Sequence, residues 1–150
     1  MPQGQAAPDI RLAVVTDQPI DHEGLVRRVA RPEAGATSLF LGTVRDNDPH
    51  AQGEVVALDY TCHPSAYELI GEIATRVLEQ ADPDGACTVA LAHRVGHLVV
   101  GDTAFAVAVS SAHRALAMDV CGRLVEEVKR SLPVWKQQFE ADGSYRWSGL

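Results

Sequence analysis

Ser110-Ser111-Ala112-His113-Arg114 stands at the start of the last long run of helical periodicity, and two lysines follow it, Lys129 and Lys136. Lys136 closes a Pro133-Val134-Trp135-Lys136 corner. Free backbone N–H groups and the positive dipole end at a helix start favour an anion, and an arginine beside them adds a bidentate fork for phosphate. A flexible lysine next to an apolar corner is a usable acid, base or nucleophile. Together these residue types can hold an anionic substrate beside an attacking group. Each cation alone also has a plain explanation: Arg45 as a solvated loop arginine, Lys129 as a charge favoured by the helix dipole, Lys136 as a neighbour of Trp135. His93-Arg94-Val95-Gly96 is a second His-Arg pair with a glycine turn, and reads as shaping the loop that supports the first pair.

The remaining composition makes this cationic set local. There are 13 Lys+Arg against 20 Asp+Glu, a formal net charge of -7, which argues against a broad basic face for nucleic acid. The 150 residues, 46% of them hydrophobic, fit one globular domain with a real core. Residues 1–9 are expected to form a flexible N-terminus and 10–150 the domain. Neither a leader nor a membrane span is visible, and a cytoplasmic location is expected. Cys62, Cys87 and Cys121 form no CxxC pair and read as reduced, buried thiols. His93 and His97 have i, i+4 spacing, but Val95-Gly96 between them breaks a helix that could present both to a metal, so no metal site is expected.

Several elements must position the cations. Ile10–Thr16 reads as a strand, and Asp21 can cap a short helix through Val29. Ala36–Val44 is a second strand, followed by Arg45 and a mobile loop over Asp46–Gly53. Glu54–Thr61 is a third, after which Pro64 suits the first position of a helix to Gln80 with Tyr67, Ile70, Ile73, Ala74, Val77 and Leu78 on one face. Strands follow at Cys87–His93 and Thr103–Val109. Ser111 can then cap a helix to Ser131 whose buried stripe is Ala115, Leu116, Val120, Leu124 and Val128. Trp135–Glu140 and Tyr145–Ser148, joined around Asp142-Gly143, form a closing hairpin. The fold class is a single α+β domain with a mixed or antiparallel sheet and packed helices.

Phe40-Leu41-Gly42-Thr43-Val44-Arg45, His93-Arg94-Val95-Gly96, Gly101-Asp102, Val109 to Arg114, Lys129 and Pro133-Val134-Trp135-Lys136 occur in the order of the large, catalytic subunit of molybdopterin synthase. The chain resembles that family from about Ala36 to Trp147. The resemblance implies an α/β hammerhead-like fold and a sulfurtransferase of molybdenum cofactor biosynthesis. Such an enzyme converts cyclic pyranopterin monophosphate to molybdopterin with sulfur from the C-terminal thiocarboxylate of a small ubiquitin-like subunit ending in Gly-Gly. It further implies Lys129 and Lys136 as catalytic residues, and a substrate pocket of Arg45, His113, Arg114, Lys129 and Lys136 flanked by Thr43, Val44, Gln137 and Gln138. Gln137-Gln138 stands where the family often has a charged pair. No cofactor is implied beyond the partner's sulfur. The competing reading is a non-catalytic module that binds the tail of a ubiquitin-like sulfur carrier. Finally, His113 and Lys129 lie 16 positions apart on what reads as one helix, ~24 Å at 1.5 Å per residue, so a shared site requires a break in that helix or a neighbouring copy; a homodimer is expected, and the resemblance implies a heterotetramer once the small subunits are bound.

Overall fold

The computed structural model describes residues 6–49, 51 and 53–149. Its elements are β1 (Asp9–Thr16), α1 (His22–Val29), β2 (Ala36–Thr43), β3 (Val55–Cys62), α2 (Ala66–Ala81), β4 (Thr88–Arg94), β5 (Gly96–Val99), β6 (Thr103–Ser111), α3 (Arg114–Ser131), β7 (Val134–Glu140) and β8 (Tyr145–Gly149). They build two four-stranded sheets, ordered β1-β4-β6-β2 and β5-β3-β7-β8. The first is mixed, with β1 parallel to β4 and the other pairs antiparallel, whereas the second is antiparallel throughout. The expected α+β class and the closing hairpin are both present. Of the N-terminal segment 1–9, residues 1–5 lie outside the described residues.

The central strands β4 and β6 are covered on both faces, so they read as nearly unbroken apolar runs rather than alternating ones. Alternation decides which helix meets which residue. Val89, Leu91, Phe105, Val107 and Val109 join the main core with α2 and α3. Ala90, Ala106 and Ala108 form a smaller cluster with Leu25 and Val29 of α1, whose approach small side chains permit. Asp21 caps α1 by accepting from the Gly24 N–H at 3.0 Å.

Four expectations change. The strand ending at Ser111 is longer than expected because β2 pairs with it as far as Ala36↔Ser111. Ser111 is therefore buried in the strand and caps nothing. α3 starts at Arg114 behind an extended His113 that makes no side-chain cap bond. Its buried face is Ala117, Val120, Cys121, Leu124, Val125 and Val128, with Ala115 exposed and Leu116 half-buried. In α2 the first helical residue is Ala66 rather than Pro64, and Ala66 is buried while Tyr67 faces outward.

The last change is β5, a strand additional to those expected. Gly96, at φ +98°, turns the chain out of the first sheet, and the next residues pair with β3 from Tyr60↔Gly96 to Ala57↔Val99. Only Leu98 of this strand is buried. Gly101, at φ +94°, returns the chain to β6. That corner joins the sheets and creates the site described below.

Leu124 is fully buried in the main core. Leu124→Ala should cost about 3 kcal/mol of unfolding free energy, within the ~2–5 kcal/mol of comparable truncations. Urea unfolding measures it, and a negligible loss would contradict the seating of α3 on the sheet.

Candidate active site

Where the sheets meet, a cavity of about 350 Å³ is lined by the end of β2, the loop after it, β3, β4, β6, the last turn of α3 and β7. Thr43, Val44, Arg45, Lys129, Lys136 and Gln138 all lie on its wall. Three cations separated by up to 91 positions in sequence are thus brought to one place. Strand alternation explains the contribution of β7: Lys136 and Gln138 share a face opposite Tyr60 and Leu58 of β3. Gln137 falls on the other face and does not line the cavity. Trp135 does too, half-exposed, so the apolar surroundings of Lys136 are Tyr60 and Leu58 rather than the neighbouring tryptophan.

The rim near Arg45 is clamped by backbone. Val44 donates its N–H to the Asp102 carbonyl at 2.9 Å, and Gly101 donates to the Val44 carbonyl at 2.8 Å. Asp102 Oδ2 in turn accepts from the Val99 N–H at 3.0 Å and lies 3.6 Å from Arg94 Nη1. The arginine of the second His-Arg pair therefore fixes the corner that carries Arg45, and not, as expected, a loop beside His113 and Arg114, which lie at the far end of α3. The loop over 46–53 has no regular secondary structure among the described residues. It brings Asp48 within 3.5 Å of Lys136 Nζ, and both side chains are largely shielded from solvent.

The cavity also holds groups absent from the sequence-based set. His93, expected in the supporting loop, is 2% exposed and lines the cavity together with Tyr60 and Phe105. Its Nδ1 lies 2.9 Å from the Arg94 carbonyl oxygen. Burial, aided by the charge of Lys129 and opposed by that hydrogen bond, pushes its pKa down to about 4. The ring is neutral at ordinary pH. Gln138 is likewise 2% exposed, and its Nε2 has no hydrogen-bond partner among the described residues. Such a buried donor costs free energy unless something polar enters the cavity. A histidine near the end of a nearly unbroken apolar strand was the one sequence signal for this floor, and only the fold reveals what faces it.

His113 and Arg114 are not here. They are exposed at the opposite end of α3, in a shallow groove with Gly35, Ala36, Ala112 and Ala115. His97 is paired with Asp59 at 2.6 Å, so it and His93 have separate partners. The cysteines are free, and burial raises the thiol pKa of Cys121 and lifts that of Cys87 to about 11, leaving both unreactive.

A mixed sheet and an antiparallel sheet enclosing a cation-lined cavity define this α+β protein. The chain belongs to the family described as MoaE protein, whose model matches residues 15–131. It is 34% identical over 137 residues to the molybdopterin synthase catalytic subunit of Bacillus subtilis, covering 90% of this chain and 83% of that one. Identity to molybdopterin synthase catalytic subunit 1 of Mycobacterium tuberculosis is 33% over 135 residues, covering 90% and 88%. The crystal structure of molybdopterin synthase from Staphylococcus aureus superposes with a TM-score of 0.81 at 27% identity, covering 92% of this chain and 97% of that one.

The buried neutral His93 makes stability pH-dependent in a definite direction. Above its ordinary value of 6.5 the ring is unprotonated in both folded and unfolded chains. Between 6.5 and about 4 the unfolded chain binds a proton that the folded ring refuses, so stability falls as pH drops through that window. The loss amounts to roughly 3 kcal/mol at about 1.4 kcal/mol per unit. Urea unfolding across this range should show the slope in the native protein and lose it in His93→Phe. Equal slopes would assign the titration to another group.

Proposed function

We propose that this chain is the catalytic subunit of a molybdopterin synthase. In this reading it transfers sulfur from the C-terminal thiocarboxylate of a small ubiquitin-like partner, ending in Gly-Gly, to cyclic pyranopterin monophosphate. The observation that carries the proposal is the convergence of Arg45, Lys129 and Lys136 on one cavity with a buried Gln138 Nε2 that has no partner among the described residues. Arginine and lysine neutralise the substrate's phosphate, and preformed donors stabilise charge that develops as sulfur adds. A lysine can also orient the thiocarboxylate or carry a proton, which a fixed arginine cannot. The donor brings one sulfur at a time and the product needs two. A partly sulfurated intermediate must therefore stay bound while the spent partner leaves, and anchoring of its anion serves that need.

The cavity is completed, in this proposal, by a second copy of the chain. α3 runs unbroken from Arg114 to Ser131, so His113 and Lys129 are ~24 Å apart along it. A pterin monophosphate is about half that length on the same scale. A two-fold homodimer would bring His113 and Arg114 of one copy to Arg45, Lys129 and Lys136 of the other, giving two equivalent pockets. With a small partner on each, the assembly is a heterotetramer. Thr43, Val44 and Gln138 then flank the substrate within one copy, and Gln137, on the far face of β7, could contact it only indirectly or from another chain.

Turnover with thiocarboxylated partner and the cyclic pterin, read as dithiolene product, tests the proposal. Lys129→Ala and Lys136→Ala should each lower it by about 100- to 1,000-fold, the loss expected for one donor at a reacting centre, without unfolding the domain. Lys136→Arg should not rescue. Partner binding without any product in the native protein would favour a tail-binding module instead.

Arg45→Ala, His113→Ala and Arg114→Ala should weaken pterin binding and spare the partner, since a protein tail is held mainly through main-chain hydrogen bonds and a groove. Separate titrations with pterin and partner decide this. Variants that lose the partner and keep the pterin would reverse the assignment.

A further inference from the structure

The cavity holds a polar group that anion binding leaves unused. His93 packs its ring against Phe105, with centroids 5.4 Å apart at 28°, and against the edge of Tyr60, at 5.3 Å and 82°. Those contacts fix the plane of the imidazole. The Arg94 carbonyl can only accept, so the 2.9 Å contact requires the hydrogen on Nδ1 and leaves a lone pair on Nε2. The side-chain hydrogen bond found for His93 among the described residues is the one at Nδ1.

The cationic side chains of the wall are of the opposite kind. Arg45, Lys129 and Lys136 donate, as does the unpartnered Nε2 of Gln138, and the one carboxylate, Asp48, lies against Lys136. The anion of a cyclic phosphate diester, or a thiocarboxylate, offers only acceptors to these donors. Neither can use a lone pair. A pterin can, because its amino group and ring N–H groups are donors, while its carbonyl and ring nitrogens accept.

We propose that His93 contacts the substrate directly, its Nε2 accepting a hydrogen bond from an N–H or O–H of the pterin while the cations hold the phosphate. This rests on reading the cavity as the sulfur-transfer pocket, and it adds the group that distinguishes a pterin from a bare anion. Gln138 supplies the complementary donor for the heterocycle. Protonation would abolish the acceptor, and burial prevents that over the neutral range by holding the ring's pKa near 4. The rings of Tyr60 and Phe105 hold the imidazole in place before substrate arrives, so little ordering is left to oppose binding.

Histidine ¹⁵N resonances of the full-length protein test the contact, with cyclic pyranopterin monophosphate and dimethyl phosphate, a diester that has no O–H, as separate probes. In the free protein His93 should give the Nδ1–H tautomer with an unprotonated Nε2. Pterin should shift Nε2 in the direction of an accepted hydrogen bond, and dimethyl phosphate should not. In binding titrations His93→Phe, which keeps a ring and loses the acceptor, should weaken pterin by about tenfold or more, the consequence of leaving a buried donor unpaired. Dimethyl phosphate affinity should stay unchanged. His93→Gln, whose side-chain oxygen can accept, should recover most of the loss, which a purely packing role would not allow. An Nε2 resonance unmoved at saturating pterin overturns the contact while leaving the functional proposal standing, and so does a folded His93→Phe protein that binds pterin like the native one. Should His93→Phe fail to fold, the resonance of the native protein still decides. A native protein that binds no pterin at all overturns the functional proposal and this contact with it.

Discussion

The rigidity of α3 constrains everything around it. Its buried face, from Ala117 to Val128, is seated on β2 and β6, and neither end can move without unpacking that contact. Lys129 is held at the last turn, beside the junction of the two sheets. His113 and Arg114 are held at the first turn, beside the start of β2. Gly122 within the helix does not break it, since tertiary packing outweighs the ~1 kcal/mol cost of an internal glycine. One helix therefore presents cations at both ends and denies them a common ligand within one chain.

Around the other end, a chain with an overall charge of -7 builds a locally cationic cavity. Its charged groups sit toward the rim, on Arg45, Lys129 and Lys136, while its floor is made of neutral groups. Charges kept partly wet avoid the penalty of full desolvation. Neutral His93 and Gln138 can be buried at lower cost, and they recognise by hydrogen-bond direction rather than by charge. Asp48 against Lys136 shows that the lysine's position already suits an oxyanion.

Long periodic elements were legible in the sequence because their burial is set locally. Asp21 as the cap of α1, the α2 stripe from Ile70 to Leu78, and the β7–β8 hairpin all follow from spacing alone. Where a neighbour decided, spacing misled. Ser111 looked like a cap because serine favours that role, yet pairing with Ala36 drew it into β6. β5 has only four residues and one buried side chain, too few to show alternation. Lys136 does line the cavity, but its walls come from β3, across the sheet. His93 gave too weak a signal because its significance lies in what its ring faces, and Tyr60 and Phe105 are distant in sequence.

The central claim is that a pocket requires two copies of the chain, because α3 separates its anion ligands. Mixing inactive His113→Ala protein with inactive Lys129→Ala protein, and allowing subunits to exchange, tests this most directly. Random pairing makes half of the dimers mixed, each with one intact pocket of two, so activity should return to roughly a quarter of the native level. Mixed dimers that form and stay inactive, or a fully active monomer, would contradict the account.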